Sequence, residues 1–245
     1  MPRRIDAKLG GLMGLYANRV IKIATEEIGY REKETCEYLD SKLANAGDKN
    51  FTKYARDLWS ASPHFYQGSK QGFDWCCVFV DWCIYKASGF NSTLAQEAKY
   101  YTGPYGAGCE YAAMYYKNAD AWYDKPMVGD QVFFGRYNSY QHTGLVEQID
   151  EEYVWVIEGN CNNSVQAKKY SLNDPYIIGY GRPRYDIPVP ASNPFVDVPS
   201  DEWYYDAVTW AYNEGITSGV DSTHFDPNRP ATRAEVVQML YKMSK

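Results

Sequence analysis

The 245-residue chain is predicted to fold as an α+β domain followed by a small helical unit. Its first half contains segments with helical periodicity, and short β-rich runs follow between residues 130 and 180. Residues 186–194 contain three prolines without any periodicity, which is typical of a linker. Helices followed by antiparallel strands are characteristic of the α+β class. The predicted organisation is a domain over residues 1–185, a linker over 186–194 and a second unit over 195–245.

Four segments of the first domain have the apolar spacing of helices. The first begins at Asn18, a residue type that caps helix N-termini. The most regular pattern covers residues 75–88 and ends before Gly89, with its apolar positions on one helical face. Shorter patterns cover residues 51–59 and 109–117. We therefore expect four helices before the strands begin.

The strands of this domain are predicted from four runs rich in β-branched and aromatic residues. These runs are residues 130–134, 143–149, 153–157 and 176–180. Gly, Asn and Asp separate them, which is the pattern of short strands joined by turns. We expect them to form one antiparallel sheet.

Composition and charge argue against several classes of protein function. The chain has 25 basic and 31 acidic residues, and a net charge of −6 argues against a general nucleic-acid binder, which needs a basic surface. No run of about 18 apolar residues is present, so neither a transmembrane helix nor a membrane partner is expected. The apolar stretch 9–16 is too short for a secretory signal and polar residues follow it directly, so we expect no signal peptide.

The cysteine content predicts little by itself. The six cysteines are Cys36, Cys76, Cys77, Cys83, Cys109 and Cys161. They are too few for a disulfide scaffold in a chain of this length, and their spacing lacks the paired C-x-x-C of zinc sites. We expect no cofactor, most cysteines to be buried as small apolar side chains, and at most one to be chemically special.

One cysteine has the setting that a nucleophile needs. Cys76 lies in the first turn of the most regular helix, where unpaired N–H groups and the helix dipole favour the thiolate. His142 begins a predicted strand and can act as the base. Glu158 closes the next strand and Asn160 follows it, so either can orient the imidazole. This order, Cys on a helix and then His and Glu or Asn on strands, is that of papain-like sites.

Spacing alone leaves other interpretations of this helix open. A cysteine on an apolar helix face is usually a core residue, so Cys76 could be structural. Cys77 points roughly 100° away from Cys76 around the helix, and Cys83 lies about two turns further along, far from the N-terminus. Either could be the special thiol on spacing alone.

Five ordered motifs resemble the CHAP family. They are GFDWCCVFVDWC (72–83), GAGCEYAAMYY (106–116), P-x-x-GDQVFF (126–134), HTGLVE (142–147) and IEGN (157–160). CHAP domains are cysteine amidases or peptidases that cut bacterial peptidoglycan. The resemblance covers about residues 18–185 and implies the papain-like fold of the CHAP and NlpC/P60 type.

The CHAP resemblance also implies residue roles. The nucleophile of the family falls on Cys76, its histidine on His142, its acid on Glu158 and its asparagine on Asn160. The residue after the nucleophile is a second cysteine, Cys77, which departs from the family pattern without touching the triad. Some CHAP domains bind calcium through clustered aspartates near the N-terminus, and no D-x-D loop is present here, so no metal is expected.

The last segment resembles an S-layer homology (SLH) repeat. The matching parts are F-x-DV (195–198), W-Y-Y-x-AV-x-WA (203–211), EGITSG (214–219), F-x-P (225–227) and TRAE (232–235). SLH domains bind pyruvylated secondary polymers of Gram-positive walls. The resemblance implies that Arg233 contacts the acidic ligand, with Trp210 and Gly215 as weaker candidates. The alternative for Arg233 is a solvated charge at a helix start.

The two resemblances together imply a modular peptidoglycan hydrolase. The first domain would cut an amide bond of the wall, and the SLH unit would hold the enzyme there. Without a signal peptide, a prophage endolysin that stays cytoplasmic until a holin releases it fits better than a secreted autolysin. An N-acetylmuramoyl-L-alanine amidase is the expected type. The alternatives are an endopeptidase and, from another class, a non-catalytic wall-binding protein.

The single SLH unit also predicts an oligomeric state. Such proteins often carry three SLH units, whereas this chain has one, and about 50 residues make a marginal core. A closed ring of three chains is allowed by symmetry and would bury Trp203, Trp210 and Phe225, which a lone unit is expected to leave exposed. We therefore expect a homotrimer through residues 195–245.

Overall fold

The computed structural model describes eight stretches of the chain: residues 12–14, 17–103, 107–136, 139–185, 188–190, 193–199, 202–213 and 215–243. These residues divide into two compact units. The larger lies within residues 14–187, and the smaller contains residues 12–13 and the chain from residue 188 onwards. The N-terminal apolar stretch of the sequence lies largely outside the described residues. No helix in the described part of the chain has the length and apolarity to span a bilayer.

The helices and strands are numbered in chain order. The helices of the larger unit are α1 (Ala17–Glu26), α2 (Lys53–Ser60), α3 (Cys76–Ala87), α4 (Ser92–Ala98) and α5 (Cys109–Asn118), and those of the smaller unit are α6 (Tyr205–Asn213) and α7 (Arg233–Met243). The strands are β1 (Leu12–Gly14), β2 (Trp122–Tyr123), β3 (Gln131–Arg136), β4 (Ser139–Ile149), β5 (Tyr153–Cys161), β6 (Ser164–Ser171), β7 (Ile177–Gly181) and β8 (Pro188–Pro190).

The larger unit contains a six-stranded antiparallel sheet in the order β2-β7-β3-β4-β5-β6. All four predicted strands are present in it, together with β2 and β6, which the sequence analysis did not predict. The burial of β6 alternates after its first two residues and its polar side chains face outwards, so it lacks an apolar run. His142 lies inside β4, opposite Phe134 of β3, rather than at the start of a strand.

Helix α3 is the central helix of the larger unit. It packs against β4 and β5 on one side and against α1, α2 and α4 on others. Every residue of α3 except Lys86 is therefore buried, which differs from the single apolar face that its spacing predicts. Its one buried carboxylate, Asp81, is paired with Lys99 and accepts a hydrogen bond from Tyr66, so the charge is compensated.

Other element boundaries differ from the predictions by small amounts. Helix α1 begins at Ala17, so Asn18 lies inside its first turn rather than at the cap. Helix α4 was not predicted because its seven residues include few apolar ones. In the segment predicted as a linker, residues 188–190 form β8, which pairs with β1 in a two-stranded sheet. Prolines are tolerated in such short edge strands because the missing N–H groups need not pair.

The smaller unit has a compact apolar cluster of Phe195, Val198 and Val208, against which Phe225 packs. Phe225 is thus half-buried within its own unit, which corrects the expectation that a lone unit leaves this ring exposed. Thr232 and Glu235 form a capping box at the start of α7. The Glu235 N–H donates to Thr232 Oγ1 (3.2 Å), and the Thr232 N–H donates to Glu235 Oε2 (2.7 Å).

Helix α7 buries none of its residues within the smaller unit. Val236, Val237, Leu240 and Met243 are all exposed apolar side chains on this helix. Trp203, ahead of α6, is 89% exposed. An exposed apolar surface of this kind is common at sites of protein association.

Candidate active site

Cys76 is the first residue of α3, as the sequence analysis predicts. The N-cap residue, Trp75, makes no side-chain capping bond, so its side chain does not occupy the N–H groups of the first turn. Trp75 is itself fully buried, and its indole Nε1 donates to Glu32 Oε2 at 2.8 Å. Glu32 also accepts from the Asn50 N–H at 3.0 Å. These buried bonds hold the start of α3, and with it Cys76, in place.

His142, Glu158 and Tyr170 are linked by a series of hydrogen bonds. His142 Nε2 lies 2.9 Å from Glu158 Oε2, and the other carboxylate oxygen accepts the Tyr170 hydroxyl at 2.6 Å. Glu158 is 1% exposed, so both of its oxygens use protein partners away from water. The Phe134 ring stacks on the imidazole with a centroid distance of 6.1 Å. The ring of His142 is therefore fixed on two sides, which is what a general base requires.

Two glycines allow the strands to approach closely enough for this arrangement. A Cβ on Gly159 would lie 2.4 Å from Phe79 Cβ, so β5 can pack onto α3 only with glycine at this position. A Cβ on Gly144 would lie 2.8 Å from Glu158 Cγ. Gly159 thus lets β5 pack against the helix that carries Cys76, and Gly144 lets β4, which carries His142, lie close to Glu158 on β5.

The electrostatics of the site favour a thiolate–imidazolium pair. Hydrogen bonds from Cys109, Cys77 and His142 lower the pKa of Cys76 well below its usual value, although burial opposes them. Burial lowers the pKa of His142, but hydrogen bonds and charge from Cys76 and Glu158 outweigh it and raise that pKa to about 9. Both shifts act in the direction that favours the thiolate and the imidazolium.

The pKa of Cys77 is shifted in the opposite direction to that of Cys76. Cys77 is 1% exposed, and hydrogen bonding to Cys109 and Cys76, together with burial, raises its pKa well above the usual value. Its sulfur lies 3.4 Å from that of Cys109 and 4.0 Å from the Gln131 Nε2. Cys83 is fully buried, and burial raises its pKa too. Of the three α3 cysteines, only Cys76 has the lowered pKa of a nucleophile.

Asn160 is placed differently from the sequence-based expectation. Its backbone is left-handed, with φ of 57°, and its Nδ2 donates to Asp74 Oδ1 at 3.3 Å. Asp74 directly precedes Trp75, so this bond ties the end of β5 to the segment that leads into α3. Besides His142, the Glu158 carboxylate is hydrogen-bonded by the Tyr170 hydroxyl. The sequence analysis missed Tyr170 because β6, the strand that carries it, was not predicted.

The predicted wall-binding residues lie in the smaller unit. Arg233 is exposed as the first residue of α7, Trp210 is 41% exposed on α6, and Gly215 follows α6 with φ of 69°. A groove of about 650 Å³ lies in this unit, and none of the three residues lines it. Its charged lining is Asp226, Arg229, Glu235 and Lys242. The sequence analysis did not single out Arg229 or Lys242, because a groove formed by distant segments has no local signal.

Comparison with known families matches two regions of the chain. Residues 68–160 match the CHAP domain, and residues 194–237 match the S-layer homology domain. The chain carries a CHAP domain followed by an SLH domain. The CHAP match includes all four residues proposed for catalysis. CHAP domains are typically cysteine- and histidine-dependent peptidoglycan hydrolases, and this domain supports a hydrolase that acts on the bacterial cell wall.

Two further similarities cover different parts of the chain. The Surface-layer 125 kDa protein of Lysinibacillus sphaericus is 46% identical over 46 residues, which are 19% of this chain and 4% of that protein. The chain thus spans only a small part of that relative's length. A solved structure, "The crystal structure of Ly7917", has a TM-score of 0.39 and 14% identity, and the match covers 69% of this chain and 62% of that one. A TM-score this low supports no conclusion about the fold.

Proposed function

We propose that the chain cleaves an amide bond of peptidoglycan with Cys76 as nucleophile, His142 as acid and base, and Glu158 as the residue that orients His142. The observation that carries this proposal is the 2.9 Å contact between His142 and Glu158 within the CHAP region that also holds Cys76 at the start of α3. A papain-like arrangement of the domain is part of the proposal. A helix that carries the nucleophile and packs against an antiparallel sheet that carries the base supports it.

The mechanism follows from the position of each group. The Cys76 thiolate attacks the carbonyl carbon of the scissile amide, and His142 gives its proton to the leaving amine. His142 then takes a proton from water, and the resulting hydroxide releases the acyl group from sulfur. The oxyanion forms beside the backbone N–H of Cys76, where the first turn of α3 lacks a side-chain cap. Asn160 supports the same edge of the site through Asp74.

The bond between muramic acid and the stem peptide is the proposed target, so the enzyme would be an N-acetylmuramoyl-L-alanine amidase. Digestion of purified sacculi by the full chain, followed by mass spectrometry of the fragments, tests this. An amidase releases glycan with a free lactyl carboxylate and a stem peptide with a new N-terminal alanine. A new amine with the stem still on muramic acid would instead identify an endopeptidase. Unchanged sacculi would contradict hydrolysis and leave a wall-binding protein.

We further propose that the SLH domain attaches the enzyme to a secondary wall polymer, and that residues 1–185, 186–194 and 195–245 are catalytic domain, linker and binding unit. Lys242 and Arg229, the latter paired with Glu235, are the cationic groups of the groove in the smaller unit, and Arg233 is exposed nearby in sequence; these are the proposed contacts for an acidic polymer. Since the chain has a net charge of −6, general attraction to an anionic wall cannot replace such a site. An endolysin-like role is the proposed context, with a secreted autolysin as the alternative.

Removing the smaller unit is expected to separate attachment from cutting. A fragment of residues 14–187, which is a compact unit by itself, should cleave soluble wall fragments but sediment poorly with intact walls. Cosedimentation of both proteins with purified walls measures this. If the fragment cosediments as well as the full chain, attachment does not depend on the SLH domain.

We also propose that the full chain forms a homotrimer through residues 195–245. The exposed apolar side chains of α7, together with Trp203, offer a surface that three units could cover in a closed ring. Three binding units in one particle would also raise wall affinity by avidity. Analytical ultracentrifugation of the full chain and of fragment 14–187 should give a trimer and a monomer. A full chain that is monomeric at tens of micromolar and still binds walls would leave a self-sufficient single unit.

A further inference from the structure

Three sulfur atoms meet at the candidate active site. Cys76 and Cys77 begin α3, and Cys109 begins α5. The Cys109 sulfur lies 3.7 Å from that of Cys76 and 3.4 Å from that of Cys77, and all three atoms lie within 4.8 Å of one another. The mechanism described above uses only one of these thiols. The other two are buried groups whose chemistry the hydrolysis of an amide leaves unused.

The spacing of the sulfurs matches the face of a tetrahedral metal site. Zinc binds thiolates at about 2.3 Å in tetrahedral geometry, which places neighbouring sulfurs about 3.8 Å apart. The two measured separations, 3.7 and 3.4 Å, lie within tenths of an ångström of that value. Small side-chain adjustments therefore suffice to place an ion over this face.

The donor set selects the kind of ion. Three cysteine sulfurs are soft ligands, which favour zinc and related ions over calcium or magnesium. Cys77 and Cys109 each release their thiol proton to solvent when the ion binds. Among the described residues, the polar group hydrogen-bonded to the Cys77 sulfur is the Gln131 amide, which also donates to the Thr143 hydroxyl at 2.9 Å. The group beside the ion at that position is therefore a neutral amide rather than a hard carboxylate ligand. Three protein ligands leave the fourth position of the metal for water.

An ion can reach this cluster. Cys76 and Cys109 are each 8% exposed, whereas Cys77 is 1% exposed. Cys76 and Cys109 are therefore the two residues of the cluster that an entering ion would meet first, and Cys77 is the most enclosed of the three.

We propose that Cys76, Cys77 and Cys109 form a binding site for a soft divalent cation, Zn²⁺, and that the bound ion holds the enzyme inactive. The ion would take the sulfur lone pair with which Cys76 attacks the substrate, so chelation would restore activity. The ion site does not depend on the proposed hydrolysis, whereas the inhibition rests on it. Cys109 is 33 positions from Cys76, so the spacing of cysteines along the chain could not indicate such a site.

Cobalt(II) substitution of the full, reduced chain tests the ion site without any activity measurement. Cys36→Ser serves as the background, because Cys36 is an exposed thiol outside the cluster. We expect one Co²⁺ per chain with a thiolate-to-cobalt charge-transfer band, and loss of the band when Zn²⁺ is added. Cys109→Ser should weaken Co²⁺ binding by more than about 100-fold, since a lost direct ligand costs at least as much as a lost outer partner. Absence of the band, or equal affinity in Cys109→Ser, overturns the site.

Inhibition is then measured on wall fragments at fixed free Zn²⁺, relative to the uninhibited rate of each variant. The Cys36→Ser protein should be inhibited and recover when a chelator is added. Cys109→Ser and Cys77→Ser should each need more than about 100-fold more Zn²⁺ for the same inhibition. Unchanged sensitivity in both would show that the ion binds Cys76 and His142 alone. If a serine variant fails to fold by circular dichroism, the corresponding alanine variant gives the same comparison.

Discussion

Replacing Cys76 by serine is expected to abolish wall hydrolysis while leaving the fold intact. The hydroxyl has nearly the shape of the thiol, but it stays protonated at neutral pH and is a far weaker nucleophile. We expect the rate of amide cleavage to fall on the order of 10⁴-fold or more. The measurement is the release of new termini from purified sacculi, and circular dichroism with a thermal melt checks the fold.

Cys77→Ser is the matched control for this experiment. Cys77 is the neighbouring residue of the same helix, but its side chain faces the interior beside Gln131. A serine hydroxyl can still donate a hydrogen bond to the Cys76 thiolate, so most of the activity should remain. An inactive Cys77→Ser protein together with an active Cys76→Ser protein would mean that the nucleophile has been assigned to the wrong cysteine.

His142→Ala should be as inactive as Cys76→Ser. Loss of the imidazole removes the cation that stabilises the thiolate and the group that protonates the leaving amine. Because the two residues act as one unit, the double variant should lose no more activity than either single variant. Full activity of His142→Ala in the sacculus assay would rule out the mechanism.

Substitutions of Glu158 and Tyr170, which continue the hydrogen-bond chain from His142, should lower the hydrolysis rate to different extents. In Glu158→Gln the amide oxygen can still accept from His142 and the Tyr170 hydroxyl can accept from the new amide, so only the charge is lost. A charge-assisted bond contributes about 1.5–3 kcal/mol, which corresponds to a roughly 10- to 100-fold slower rate. Tyr170→Phe removes one bond to the Glu158 carboxylate but leaves its charge and its contact with His142 in place, so the rate should fall less, by no more than about tenfold. A Tyr170→Phe protein slower than Glu158→Gln would contradict this order.

The helices and strands near the site could largely be predicted, because their signals are local. The period of apolar residues places α3 within one residue of its observed bounds, and the β-rich runs mark β3, β4, β5 and β7. Strand β6 and helix α4 were missed since neither has an apolar run.

The amino-acid sequence by itself determined the reactive groups and the elements that carry them: a cysteine at a helix start, and a histidine and a glutamate on strands. Only the tertiary structure decided which groups meet. The pairing of Tyr170 with Glu158, the hold of Glu32 on Trp75 and the contact of three sulfurs all join separate elements. Such contacts depend on strand register, where a shift of one residue turns every side chain to the opposite face. They also depend on close approach at Gly144 and Gly159, which only the packed chain shows.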